Sequence, residues 1–393
     1  FNPTHLFGFF TALAPDAIRD IEIYKGDFPA TFGGRLSSVI DIHSKDGNMR
    51  NLGFGGKLGP FTSSFSMEGP FVKDRFSFFF SVRRSNLNWM GELAEVNRTF
   101  DFSFYDIHTK LNIKPNNKNQ FFITFYKGQD DYSRIINTNN AFGISWDNSL
   151  ASLRWNYTPG DKIFINNILF ASEYNYYMYI DRENDDYWIS AIKIQGLKSN
   201  MSYYFNPRST LRFGIALKNY AMNPGNIHFS DPETQAAAPA IPEYNAFETN
   251  LYGSYELQLG KKFISRFGLR VSSWQDYGPT RVYHFDEFYR HTETEEIMGE
   301  DVYKTFVNPE PRISLTYLLG SSASLKAAYT RNVQYLQLLS NTTSPFTSLE
   351  VWVPAGPNIQ ARKADQVSVG YFRDIIAEKL QFSAEAYFKK IYN

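Results

Sequence analysis

The stretch Phe263-Ile264-Ser265-Arg266-Phe267-Gly268-Leu269-Arg270-Val271-Ser272 sets Phe263, Phe267, Leu269 and Val271 on one side of an extended chain and Arg266, Gly268, Arg270 and Ser272 on the other. Successive side chains of a strand point to opposite faces, so this period of two describes a β-strand with one apolar and one polar face. The pattern recurs with Leu211, Phe213, Ile215 and Leu217 against Arg212, Gly214, Ala216 and Lys218. Leu251, Tyr255, Leu257 and Leu259 oppose Tyr252, Ser254, Glu256 and Gln258, and Ile313, Leu315, Tyr317 and Leu319 oppose Arg312, Ser314 and Thr316. Beyond about residue 50 such alternation dominates and helical spacing is almost absent. About 15 strands are expected, starting near Asn51, Thr62, Arg75, Asp101, Lys118, Asn148, Lys162, Trp188, Arg208, Phe247, Lys261, Tyr303, Ala323, Asp365 and Lys379.

The connections alternate in length. Short turn signals lie at Val72 to Arg75, Lys114 to Lys118, Thr158 to Asp161, Asn206 to Ser209, Leu259 to Lys261 and Leu319 to Ser322. Between them come long polar or Pro-rich stretches: Ser85 to Thr99, Asp130 to Asp147, Asn175 to Asp186, Ala221 to Tyr244, Gln275 to Asp301 and Asn332 to Ala364. Tight turns on one rim and long loops on the other are the habit of transmembrane β-barrels. A soluble sandwich or propeller also yields many alternating strands. It does not call for a stripe rich in Phe, Tyr and Leu backed by Arg, Glu, Lys and Gln, which a lipid-facing wall around a hydrated lumen requires. Trp155, Tyr157, Tyr174, Tyr177, Trp188 and Tyr203 near strand ends suit interfacial girdles.

Composition narrows the function. The 393 residues hold 40 basic and 40 acidic side chains, no Cys, and 36 Phe, 26 Tyr and 6 Trp. Zero net charge argues against gripping a phosphate backbone, so nucleic acid is not an expected partner. Without Cys there is no disulfide, thiolate metal site or thiol nucleophile. No apolar run approaches the ~18–20 residues of a membrane-spanning helix, and the opening FNPTH is not a secretion signal.

The first fifty residues do not read as wall. Pro15 and Asp16 start a short helix or turn, Ile18 and Ile21 to Ile23 lead into a strand, Gly26, Gly33 and Gly34 permit tight turns, and Ser38 to Ser44 alternates as a second strand. The expectation is a small α/β unit over residues 1–48, followed by a wall over 49–393. Here the chain resembles the C-terminal part of the plug domain of TonB-dependent outer-membrane receptors. The resemblance rests on Ala17-Ile18-Arg19-Asp20-Ile21-Glu22-Ile23-Tyr24-Lys25-Gly26 and on Phe32-Gly33-Gly34-Arg35-Leu36-Ser37-Ser38-Val39-Ile40-Asp41-Ile42. Phe32 stands where that family usually has Tyr. A branch of the family with a G-G-R-L-S-S-V plug ending and an N-P-T-H-L-x-G-F-F opening matches Asn2 to Phe10 as well. Leu325 to Arg331, Val351-Trp352-Val353-Pro354-Ala355-Gly356 and Glu385 to Lys390 extend the likeness into the wall.

The resemblance implies an all-β transmembrane antiparallel barrel of 22 strands, of which about 15 are present, closed by an N-terminal plug. It implies an outer-membrane transporter for active nutrient uptake. Its expected partners are the inner-membrane TonB complex, reached through a segment upstream of this sequence, outer-membrane lipid, a nutrient ligand of unknown class and a surface lipoprotein. The first half of the plug, the TonB box and the closing aromatic strand are not recognisable, and an odd strand number does not close a bacterial barrel, so the sequence reads as a fragment. The rivals are a passive porin or barrel-borne adhesin without energy coupling, and a soluble carbohydrate-binding β-protein.

Enzyme chemistry finds little to stand on. His284, Asp286, Glu287, His291, Glu293, Glu295 and Glu296 share one loop without a fixed element to set metal-ligand spacing, and read as a solvated acidic tip. Asp181, Glu183, Asp185 and Asp186 lack the glycine of a calcium loop. Asp106 and His108 share a strand face without a nucleophile, and Lys25-Gly26 with Gly33-Gly34 forms no phosphate-binding pattern. No metal, cofactor or catalytic residue is expected. As a plug loop, His5, Phe7, Phe9 and Phe10 would face the outer vestibule and, with Trp352, form a ligand platform, packing against the wall being the plainer use. Arg19, Lys25 and Arg35 are expected to hold the plug to wall carboxylates such as Glu68, Glu256 or Glu385, since a plug in a hydrated lumen can dock only through reversible polar contacts.

Overall fold

The computed structural model describes residues 3–87, 100–137, 140–181, 186–237, 241–339, 350–376 and 380–392. One antiparallel sheet of fifteen strands contains the wall, each strand pairing with its neighbour in sequence. The strands are Gly53–Leu58, Thr62–Val72, Phe76–Ser85, Phe100–Asn116, Asn119–Asn137, Asn140–Gly160, Ile163–Asp181, Asp186–Asn206, Ser209–His228, Tyr244–Leu259, Phe263–Tyr277, Val302–Leu318, Ala323–Gln334, Arg362–Ile376 and Leu380–Tyr392. The first and last lie at opposite edges and do not pair with each other, so the sheet is not closed. Each expected strand is present, although the one placed near Asn148 starts at Asn140.

The tight turns hold by local polar chemistry. The Asn116 side chain accepts the backbone N–H of Lys118 and of Asn119, both at 2.9 Å, and Asn206 does the same for Arg208 at 2.9 Å. These Asx contacts replace ladder bonds that the reversing backbone loses. On the other rim, within the expected loops Asp130 to Asp147 and Asn175 to Asp186, the described residues 130–137, 140–147, 175–181 and 186 are instead ribbon, which higher up pairs Tyr132 with Ile144 and Tyr177 with Ile189. Polar side chains there suggested a loop, but backbone pairing needs only alternation, which continues inward through Tyr132, Ile144, Trp146, Tyr174 and Tyr176, all buried. Strands of 19 to 21 residues result. Only about 9–11 residues are needed to cross the hydrocarbon layer, so these ribbons stand clear of it.

The two faces divide as the period of two requires. Phe213, Leu251, Phe267, Leu269 and Ile313 point outward and are exposed, Phe267 at 49%. Arg270 and Arg312 point inward and are 2% and 5% exposed, and Glu310 is fully covered. What covers them is the chain before residue 50. The helical part of the expected α/β unit is reduced to two 3-10 turns, Leu6–Gly8 and Pro15–Ala17. Around them stand a small hairpin, Thr4–His5 with Phe10–Thr11, and a longer one, Ile18–Tyr24 with Val39–Ser44. Residues from this segment touch Lys57 near one sheet edge and Lys389 near the other. The sheet therefore curls around it.

Replacing Leu269 on the outer face by Arg is expected to cost about 2–4 kcal/mol in a refolding titration of the intact protein into lipid vesicles. The same change at Ser368, which lines the inner space, is expected to cost well under that. Equal costs on the two faces would contradict the assignment of sides.

Candidate functional site

Inward positions of successive strands build a buried ladder of alternating charge. Lys218 donates to Glu248 at 3.0 Å, the Tyr220 hydroxyl donates to the same carboxylate at 2.6 Å, and Asn250 donates to its other oxygen at 2.8 Å. Arg270 lies 3.9 Å from Glu248 and 3.6 Å from Glu310, and Arg312 lies 3.3 Å from Glu310 and donates to Asn332 at 3.1 Å. A buried charge without a partner is costly, and here each carboxylate is flanked by cations. The arginines have donors left over, and the segment before residue 50, the expected plug, takes them. Arg270 donates to the Ala30 carbonyl at 3.3 Å, Arg312 donates to the Pro29 carbonyl and lies over the Phe28 ring at 4.6 Å, and Arg266 pairs with Asp27. Ser314 donates to the second Asp27 oxygen at 2.6 Å. Gly33 lies directly against this ladder, where a Cβ would sit 2.4 Å from Arg270 Nε, and Gly34 turns the chain at φ +81°. Glycine is required at the first by close approach and at the second by backbone conformation.

Three further anchors follow the same rule. At the small hairpin, His5 Nδ1 lies 2.6 Å from Asp130 and its Nε2 3.7 Å from Asp106, while the Leu6 amide donates to Asp130 at 2.8 Å. Arg83 joins Asp106 at 2.6 Å to the Thr11 carbonyl at 2.6 Å, and the Tyr126 hydroxyl donates to the Ala12 carbonyl at 2.8 Å. Asp46 accepts Lys110 at 2.5 Å with Arg154 at 4.0 Å. Asp16 takes Lys57 and the Ser64 hydroxyl, the latter at 3.0 Å. Burial pushes the Asp16 carboxyl upward, but these hydrogen bonds outweigh it and leave it below its ordinary value.

Above the plug the inner space turns aromatic. Tyr132, Ile144, Trp146, Tyr174 and Tyr176 form one buried cluster, against which Phe7, Trp188 and Trp352 pack. A second, including Tyr220, Trp274, Tyr335 and Ala355, also contacts Trp352. Trp352 belongs to a hairpin, Leu336–Leu339 with Val351–Pro354, that turns inward from the wall. Phe7 sits 5.0 Å from the Trp146 ring, and Arg35 lies over the Trp352 ring at 5.2 Å while donating to the Leu336 carbonyl at 3.3 Å. The indole N–H groups of Trp146 and Trp188 are buried without a hydrogen-bond partner among the described residues.

The expected ligand residues separate. Phe7 and Trp352 meet the same aromatic cluster, Phe9 is 83% exposed, and Phe10 lies 5.1 Å from Phe104. His5 is 2% exposed and stacks on Phe104 at 4.6 Å, which makes it an anchor of the hairpin. The expected docking residues are also dispersed. Arg19 pairs with Asp20 and Asp46, both at 2.7 Å and both within the plug segment, and Glu256 pairs with Arg212 at 3.1 Å within the wall. Glu68 lies opposite Gly53 in the edge pair. Lys25 and Glu385 line one cavity of about 720 Å³ between plug and wall. The polarity of docking is thus mostly the reverse of that expected, with cations on the wall and carboxylates Asp16, Asp27 and Asp46 on the plug. An inward Arg in an alternating strand was the available signal for Arg83, Arg266 and Arg270. Of the noted metal-binding loops, the acidic tip is a hairpin, Thr280–Phe285 with His291–Ile297, in which His284 meets Glu295 at 3.1 Å. Glu183 and Asp185 lie outside the described residues. Among the described residues Asp20, Glu22 and His43 form a three-ligand group at an exposed place on the plug hairpin. Asp106 serves Arg83 and His5 rather than His108.

Double-mutant coupling between Asp27→Ala and Arg266→Ala in the intact protein is expected at about 0.5–3 kcal/mol, as for a contacting charged pair. Gly33→Val is expected to loosen the plug, read as faster protease cleavage between Gly26 and Gly34. Additive single effects or unchanged cleavage would refute docking through the ladder.

Comparison with known proteins agrees with this architecture. Residues 73–393 match the family model described as TonB dependent receptor-like, beta-barrel. No curated protein sequence matches. Among solved structures, the copper transporter OprC superposes with a TM-score of 0.69 at 12% identity, over 97% of this chain and 60% of its own. The FrpB iron transporter from Neisseria meningitidis (F3-3 variant) gives 0.68 at 13%, over 99% and 63%. The alcaligin outer-membrane receptor FauA from Bordetella pertussis gives 0.66 at 13%, over 95% and 58%. The chain spans about 60% of the length of the structures it resembles. With its alternating wall, its polar inner face and a family match over most of its length, the chain belongs to the TonB-dependent receptors of the outer membrane.

Proposed function

We propose that the complete receptor binds a nutrient on its outer side and admits it through a plug-gated barrel, the plug being moved by the inner-membrane TonB complex. The observation that carries this reading is the nature of the plug contacts. Beside the apolar contacts of Phe7, Ala14, Ala17 and Ala30, they are hydrogen bonds and ion pairs to a polar wall, each worth about 0.5–3 kcal/mol net, and these can be broken one by one and remade. A permanent seal would bury apolar surface instead.

Ligand contact falls to the aromatic floor of the vestibule. Phe7 from the N-terminal segment and Trp352 from the inward hairpin meet one aromatic cluster, with Arg35 over Trp352 and the indole N–H groups of Trp146 and Trp188 beside them, while Phe9 stays exposed on the same segment. Flat apolar faces with a few fixed donors suit a ligand that has ring faces and acceptor oxygens. His5 positions the floor through Asp130. Arg35 ties the floor to the N-terminal segment, and Lys25 and Glu385 line the lower polar space.

These 393 residues contain no Cys, so once any thiol elsewhere in the full receptor is replaced by Ser, a single introduced thiol reports on its own site. Ala30→Cys lies at the centre of the docking loop, 3% exposed. In cells making the full receptor, maleimide labelling of this thiol is expected to rise when the TonB complex is present and energised, and to stay low in cells lacking it. Labelling that is the same in both cells would favour a passive channel. Separately, Trp352→Ala and Phe7→Ala are each expected to weaken ligand binding by about tenfold or more, the cost of losing one aromatic stacking face. Unchanged binding in both would move the ligand off this floor.

A further inference from the structure

A groove of about 470 Å³ opens on the outer face of the wall, where the transport reading assigns nothing. Its floor is one row in exact cross-strand register: Thr109, Phe125, Ala151, Ala171 and Gln195. The two alanines recess the surface between larger neighbours. The next row outward is Ile107, Lys127, Ser149, Glu173 and Lys193. Lys127 donates to Asp147 at 2.6 Å, and Lys193 lies 3.3 Å from Glu173. Beyond these charges, on the same face, Tyr177 and Tyr179 stack at 6.4 Å and both meet Tyr187 edge-on at 5.7 and 5.9 Å.

Height decides what this strip faces. Counted from the short-turn rim, Lys127 is about 8 residues up its strand and Lys193 about 13 up its own. At ~3.3 Å per residue and ~45° tilt this is roughly 19–30 Å, the upper edge of an apolar band about 25 Å tall. The short-turn rim has the ordinary girdle, with Trp155 stacked on Phe121 at 6.0 Å and beside Tyr157 at 5.6 Å. The outer rim differs here. Charges sit at the boundary and tyrosines lie beyond it, where no hydrocarbon remains for their rings to anchor.

We infer that this strip binds a phosphorylated glycolipid of the outer leaflet. The order of surfaces matches the order of such a molecule: an acyl chain in the Ala151 and Ala171 groove, a phosphate on Lys127 and Lys193, and sugar rings against the three tyrosines. Each ammonium has three donors, of which its carboxylate partner takes one, and Asp147 and Glu173 accept sugar hydroxyls. The site lies on the opposite side of the wall from the plug and is independent of ligand transport.

The test uses the full receptor, delipidated in mild detergent, with bound lipid counted by mass spectrometry of the intact complex. The probes are bisphosphorylated lipid A, its dephosphorylated form and phosphatidylglycerol. Bisphosphorylated lipid A is expected to be retained at least about tenfold over the other two, as two charge-assisted contacts imply. The pair Lys127→Glu with Lys193→Glu and, independently, the groove-filling Ala171→Phe should each abolish that preference while the barrel keeps its heat-modifiable mobility on gels. Equal retention of all three lipids, or a preference unchanged in both variants, would overturn the site. Retention of phosphatidylglycerol equal to that of lipid A would overturn the glycolipid assignment.

Discussion

Glu310 lies fully covered inside the wall, between Arg270 and Arg312, and the rest of the inner architecture depends on how that charge is satisfied. Within the hydrocarbon span, lipid on the outside drives the charged side chains of an alternating strand to the inside, so the lumen collects charge whether or not it is needed. Neighbouring strands then neutralise one another, as Lys218, Glu248, Arg270, Glu310 and Arg312 do. A guanidinium has five donors, more than one carboxylate accepts. The spare donors of Arg270 and Arg312 turn inward and meet the carbonyls of Pro29 and Ala30. The plug is therefore held by a surplus that the barrel creates for its own reasons.

That arrangement explains which plug residues are constrained. A carbonyl is offered by any residue, so the docking loop can vary in side chain. The constraint falls on Gly33, where Arg270 leaves no room for a Cβ, on Gly34, whose φ is positive, and on Asp27, which must be charged to meet Arg266. The upper plug is constrained otherwise. His5 and Phe7 are two residues apart, yet one is fixed to Asp130 and Asp106 while the other lies on Trp146. Any ligand that displaces the Phe7 ring acts on a short chain whose next anchor is that buried His5 contact.

The wall was legible because its signal is periodic and repeated. Phe267 and Arg270 declare their sides without knowledge of any partner. The ribbon above the membrane was not legible at Asp130 to Asp147, because Gln129, Asp131 and Ser145 resemble loop residues while Tyr132, Ile144 and Trp146 continue the inward face. The docking partners were legible only as types. Alternation shows that Glu256 faces inward, but whether it meets the plug or Arg212 depends on strand offset and height, which a period of two does not contain. The inner aromatic cluster was half legible for the same reason: the aromatic opening from His5 to Phe10 was visible, whereas the hairpin that brings Trp352 to the same cluster as Phe7 turns in from the wall.

The same division accounts for a fold shared at 12% identity with a TM-score of 0.69. An outward position asks only for an apolar side chain, since lipid has no shape to match, and an inward position asks only for polarity that its neighbours can neutralise. Neither demand names a residue. Identity is then free to drift across most of the wall while the register persists, because a slip of one residue would send every charge into lipid at once. A specific residue is demanded where the wall touches something with a shape of its own, as at Gly33 under Arg270 and at His5 between two aspartates.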